Sequence, residues 1–158
     1  MGECKMNYRM ATSADIELLV LQRLNFIGAT ENHRDYDLIK ENCRLYFNKA
    51  MDNQTCDVIL AEENGACLGT GIIFYYDSVP SAFNVTGKNA YITSIYVEPA
   101  DRRRGIGTEI VNRLVEQAGS RGYSIIMLNA TETGKSIYKK LGFEEISNGM
   151  ILNRNKRI

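Results

Sequence analysis

The chain reads as a mixed α/β (α+β) domain, one layer of sheet with helices on its faces. Three observations carry that reading. Period-two apolar runs alternate with runs at helical spacing across all 158 residues. Glycine-containing polar clusters punctuate the runs. Apolar and charged fractions of 44% and 24% are those of an ordinary globular protein.

The elements follow in order. Asn7–Met10 predicts a short strand, and Ser13 or Thr12 then caps a helix whose first turn carries Asp15 and Glu17, where the helix dipole favours acids. Ile16, Leu19, Val20 and Leu24 form its buried stripe and Gly28 stops it. A second helix is expected from Asp35 to Met51, with Leu38, Ile39, Cys43, Tyr46 and Phe47 inward. Cys56–Ala61 and Cys67–Tyr75 predict strands joined by the turn Glu62-Glu63-Asn64-Gly65. A polar loop, Tyr76–Asn89, leads to the β-branched and aromatic run Tyr91–Val97, which Glu98-Pro99 ends.

Ile106, Ile110, Leu114 and Val115 then share a helical stripe that continues to about Ala118. Gly119–Gly122 breaks it, and Tyr123–Leu128 is an apolar strand. A polar loop, Asn129–Gly134, opens a helix containing Ser136, Ile137, Tyr138 and Leu141, which Gly142 ends. Further strands are expected from Phe143 and at Met150–Leu152, giving the order β-α-α-β-β-β-α-β-α-β-β.

Length predicts one domain spanning residues 1–158. With 19 basic and 19 acidic residues, the zero net charge points to neither nucleic acid nor an acidic membrane surface. No apolar run approaches the roughly 20 residues that span a bilayer, and the N-terminal residues carry no apolar core of the signal-peptide kind. Met1-Gly2 would suit myristoylation, but Met6 stands where Ser or Thr is wanted. Cys4, Cys43, Cys56 and Cys67 form no C-x-x-C pair and His33 is the one histidine, which argues against a structural metal or a disulfide framework. Small core hydrophobes in a reducing cytoplasm fit these cysteines. His33, in the polar stretch Glu31–Asp35, reads as a surface side chain.

The most informative stretch is Arg102-Arg103-Arg104-Gly105-Ile106-Gly107, between a strand and a helix. Glycines just before a helix let the backbone approach a ligand closely, and the first helical N–H groups favour an anion such as a pyrophosphate. A solvated basic turn that caps a helix would have the same spacing. A dinucleotide fingerprint fails because Ile110 occupies its third glycine position. A P-loop at Gly134-Lys135-Ser136 fails because Asn129 stands where its first glycine belongs.

A third phosphate grip fits. Arg102-x-x-Gly105-x-Gly107 after Ile95-Tyr96-Val97-Glu98-Pro99, together with Ser136-Ile137-Tyr138-Lys139-Lys140-Leu141-Gly142-Phe143, resembles the two signatures of the GNAT N-acetyltransferase superfamily. The element order resembles that family from about Tyr8 onward. The resemblance implies a mixed, mostly antiparallel sheet with a central splay and helices on both faces. It implies an N-acetyltransferase that moves the acetyl group of acetyl-CoA to a primary amine by direct attack, without metal. By that resemblance, backbone groups of Ile95, Tyr96 and Val97 pair with the pantetheine arm. The amides of Arg103, Arg104, Gly105, Ile106, Gly107 and Thr108 hold the pyrophosphate, helped by the Arg102 or Arg104 side chain. Tyr138 is the general acid for the departing thiolate, and a backbone N–H near Ile95 stabilises the oxyanion.

Asn129 and Thr131 complete the cofactor positions. Thr131 stands where many relatives carry asparagine, and Tyr91 where many carry a base glutamate, so no base is assigned; Glu98 is as well explained as a solvated residue before Pro99. That gap leaves open a non-catalytic acyl-CoA sensor of the same fold. The acceptor, a small-molecule or peptide amine, would be shaped by the loops Phe26–Tyr36 and Tyr75–Asn89. Glu31, Asp35, Asp37 and Glu41 are offset there by Arg34, Lys40 and Arg44, and Tyr36, Tyr75, Tyr76 and Phe83 line a pocket or cover the core edge. A homodimer is a further expectation of the resemblance.

Overall fold

The structure, a computed structural model, describes residues 5–146 and 148–154. Strand β1 (Asn7–Met10) leads through a 3-10 turn to α1 (Ile16–Ile27) and α2 (Tyr36–Asp52). Three antiparallel strands follow: β2 (Cys56–Glu63), β3 (Ala66–Asp77) and β4 (Lys88–Val97). Then come α3 (Ile106–Ser120), β5 (Ile125–Leu128) and α4 (Glu132–Lys140). The sheet order is β1-β2-β3-β4-β5, with β4 and β5 parallel.

Alternation along the strands sorts the core into two layers. Ile59, Ala61, Ile73, Ala90 and Ile92 face α3, which buries Ile106, Ile110, Val111, Leu114 and Ala118 against them. Val58, Leu60 and Ile72 face α1 and α2, meeting Leu19, Val20, Leu24 and Phe47. Fully burying an aliphatic side chain such as Leu114 contributes about 1.5–3 kcal/mol. Close approach of α3 depends on Gly71, where a Cβ would come within 2.3 Å of Ile110 and 2.7 Å of Ile95.

Two irregularities shape the functional end. Opposite Gly71, β4 carries two residues, Ser94 and Ile95, without Cα partners on β3; Ser94 takes a left-handed φ of 54°. Such a bulge re-aims side chains and frees backbone groups. On its other edge β4 pairs with β5 only from Asn89 to Ile92, so the strand from Thr93 to Val97 has no β5 neighbour. That is a splay.

Several expectations need correction. Residues 143–146 and 148–154 contain no strand. Ile146, Met150, Ile151 and Leu152 are all at least 78% exposed, so their apolar pattern has no surface to pair with. Glu145 is instead drawn onto α4 by Lys135 (3.0 Å) and Lys139 (2.9 Å). Phe143 packs edge-on against Tyr138. On α2, Leu38 and Tyr46 are exposed, because the inward stripe runs through Ile39, Cys43, Phe47 and Ala50. The hairpin loop is the two-residue Asn64-Gly65, both with positive φ, which lengthens β2 and β3. Cys4 and Met1-Gly2 lie outside the described residues.

Candidate active site

The end of α3 nearest the splay is built from backbone. Among the described residues, no N–H from Arg103 to Thr108 donates to a carbonyl or a side chain; the first bond of the helix is Glu109 N–H to Gly105 C=O. Six consecutive donors therefore converge at the positive end of a 15-residue helix. Arg103 (φ 65°) and Gly105 (φ 78°) take left-handed conformations that fold these amides into a concave nest. A Cβ on Gly107 would lie 3.7 Å from the side chains of Ile95 and Val97, so its absence deepens the floor between helix and strand.

This nest opens into a cleft of about 220 Å³. From the expected site, Ile95, Val97, Arg102, Arg103, Gly105, Ile106, Gly107, Thr108 and Tyr138 line it. Asp101, Val111, Gly134 and Ile137 line it as well and were not anticipated. Gly134 could have been suspected from its place four residues before Tyr138: with no Cβ there, the ring lies across the first turn of α4, 3.3 Å from where that atom would be. Burial pushes the Tyr138 hydroxyl above the usual tyrosine range, so it stays protonated at neutral pH.

Four expected residues lie outside the cleft lining. Tyr96 turns to the α1 face, where its hydroxyl donates to Glu98 at 3.3 Å. Arg104 is held by Asp101 (2.6 Å) and Glu63 (2.9 Å). Thr131 caps α4, its hydroxyl accepting the Gly134 N–H, and Asn129 sits in the preceding loop. Arg102 donates through Nε to the Val97 carbonyl at 3.1 Å, bridging the turn to the open strand edge.

The remaining polar candidates do not join this cleft. Glu98 accepts from Gln22 Nε2 at 3.3 Å and from Tyr96, on the α1 side. His33 accepts the Asp35 N–H in an exposed turn. Tyr75 is buried at the far end of the sheet on Asp57, and Phe83 stands 80% exposed on the β3–β4 loop. Cys43, Cys56 and Cys67 are unpaired thiols that burial pushes up, Cys56 to about 11. Among the described residues, no cluster of three or more His, Cys, Asp or Glu could hold a metal, and no helix is long and apolar enough to cross a membrane.

Comparison with known proteins follows the same lines. The chain is similar to the thialysine N-epsilon-acetyltransferase of Sus scrofa, at 32% identity over 54% of this chain and 50% of the other. It is similar also to an uncharacterised N-acetyltransferase of Methanocaldococcus jannaschii, at 34% identity over 67% of this chain and 47% of the other. The chain thus spans about half the length of these curated relatives. Among solved structures, a predicted acetyltransferase of Clostridium acetobutylicum with acetyl-CoA superposes with a TM-score of 0.85 at 36% identity, covering 94% of this chain and 96% of that one. A GCN5-related N-acetyltransferase of Ralstonia eutropha gives 0.81 at 25% identity, covering 94% and 99%. The profile of the Acetyltransferase (GNAT) family matches residues 18–143, most of the chain, and the protein belongs to that family.

Proposed function

We propose that the chain is an N-acetyltransferase that uses acetyl-CoA as cosubstrate and a primary amine as acceptor. One observation carries this reading: a single cleft holds the unpaired amides of the Arg/Gly turn, the open edge of β4 and the protonated hydroxyl of Tyr138. The donor set suits a diphosphate, since six N–H groups, the helix dipole and the neighbouring Arg102 and Arg103 favour concentrated negative charge. When bound there, acetyl-CoA supplies an activated acyl thioester.

The chain's own groups divide the remaining work. Backbone groups of Ile95, Tyr96 and Val97 on the splayed edge receive the extended pantetheine arm as an added strand. The Ile95 N–H, at a bulged position without a β3 partner, serves the developing oxyanion. Tyr138, its raised pKa keeping the hydroxyl protonated, donates that proton to the leaving thiolate, and the proton lost by the attacking amine nitrogen returns through solvent to restore it. The acceptor is a small-molecule or peptide amine. The unpaired thiols suit a reducing cytoplasm.

The test is thiol release from acetyl-CoA across an amine panel. Turnover with at least one amine is expected, and Tyr138→Phe should lower kcat by about 10²-fold or more while leaving coenzyme A affinity unchanged. Tight cofactor binding without turnover on any amine would favour the sensor of the same fold.

A further inference from the structure

The arginines between residues 5 and 146 fall into two groups by whether they hold a carboxylate among the described residues. Arg9, Arg34, Arg44, Arg104, Arg113 and Arg121 each hold a carboxylate. Arg102 and Arg103 hold none and line the cofactor cleft. Arg23, half-buried on α1, also holds no carboxylate among the described residues, yet it lies on the opposite face of β4.

Its surroundings fix it in place. One Nη donates to the Ser94 hydroxyl at 2.5 Å, and the guanidinium stacks 5.3 Å from the centre of the Phe26 ring. Ser94 is 3% exposed and occupies the left-handed position of the β4 bulge. The next residue, Ile95, turns its side chain into the cofactor cleft. Arg23 therefore sits on a residue adjacent in the strand to one that lines the cofactor cleft.

Of the acids on the elements around it, Glu17 and Glu41 are held by Arg44 and Glu98 by Gln22 and Tyr96, and neither Asp37 nor Asp52 of α2 forms an ion pair with it. Cys43, on α2, is the titratable neighbour and burial keeps it a thiol. A guanidinium held by a hydroxyl and an aromatic face, with no counter-ion among the described residues, is preorganised for an anion.

We infer that Arg23 is a specificity-determining residue, and that the preferred acceptor is an amine bearing a carboxylate or phosphate, not a simple polycation. This rests on the acetyl-transfer reading above. An amine reaching the bulge from the α1 face would place its anionic group on the free side of the guanidinium while its nitrogen meets the open strand edge. Ser94 acts as a positioning residue, holding Arg23 toward that edge.

Matched pairs of amines test this: amino acids against their amides, and amino-sugar phosphates against the unphosphorylated sugars. Thiol release should favour the anionic member. Arg23→Gln should lower kcat/KM for that member by about tenfold or more, mainly through KM, and change the neutral member less than twofold. Arg23→Lys should restore part of the preference. Phosphate-only or carboxylate-only loss identifies which anion is read.

Calorimetric titration of the coenzyme A-loaded protein with the same pairs reads the preference without turnover, so failure of catalysis and failure of this proposal remain separable. Equal losses for both members, or a wild-type protein that binds them equally, would overturn it. A melting temperature for Arg23→Gln within a few degrees of wild type confirms that the comparison is made between folded proteins.

Discussion

The two ends of α3 have similar chemical ingredients and opposite states. At the C-terminal end, Arg121, Gln117 and Tyr75 all donate to one oxygen of Asp57, at 2.9, 3.1 and 2.8 Å, and Arg121 also reaches the Gln54 carbonyl while stacking on Tyr75. At the N-terminal end, five of the six residues with unpaired backbone donors, and Arg102 with Arg103, line a cleft with no protein carboxylate pairing either arginine, among the described residues. A hollow of about 540 Å³ lies beside the closed end, larger than the 220 Å³ cleft at the open one. Volume therefore does not distinguish a ligand site from a structural joint; unsatisfied donors do.

The largest expected effect attacks the open end. Gly107→Glu places a carboxylate on the floor of the nest, where a Cβ itself meets only ordinary contacts. Coenzyme A affinity should fall about 100-fold or more, by titration calorimetry, with the melting temperature nearly unchanged. A comparable loss from a substitution at the closed end would erase the contrast.

Asp57→Ala is that control, and its cost should appear in stability. It strands the partly buried Arg121, whose side chain is 26% exposed, and leaves Tyr75 and Gln117 without their acceptor. About 2–3 kcal/mol should be lost in urea unfolding, with cofactor affinity within twofold of wild type.

The smallest effect concerns the ion-paired Arg9 on β1 and appears only in acid. Arg9, and then the Thr12 backbone N–H, hold the Asp15 carboxyl down to about 2 from its ordinary 3.8. A depressed carboxyl stabilises the fold above its unfolded pKa and loses that contribution as pH falls through the folded one. The urea midpoint of wild type should drop between pH 4 and pH 2 more steeply than that of Arg9→Gln, while the two proteins keep a constant difference from pH 5 to pH 7. Parallel acid profiles would remove Arg9 from this role.

The open end was readable in the sequence because it is local. Six adjacent residues encode the Arg/Gly turn, and Gly134 and Tyr138 share one helix. The closed end was not, since Asp57 meets Gln117 and Arg121 across 60 and 64 positions, pairings that only the packed sheet creates. Arg23 and Ser94, 71 positions apart, were hidden for the same reason. The element order survived from β1 to α4 because each run carries its own periodicity and stop signal. The strands expected beyond Phe143 failed because Met150-Ile151-Leu152 has strand-like composition but no neighbouring edge to receive it, and burial decides strand formation more than propensity does. Three consecutive arginines cannot share one direction: Glu63 on β2 and Asp101 hold the Arg104 side chain, while its amide stays unpaired in the turn.

The central claim is that the amides from Arg103 to Thr108 grip a diphosphate. A titration of ¹⁵N-labelled protein with coenzyme A, followed amide by amide, tests it most directly. The largest shifts should fall on those six residues and on Ile95–Val97, with the amides around Asp57 and Arg121 unmoved. Shifts centred on the Asp57 end, with the Arg/Gly turn silent, would contradict the account.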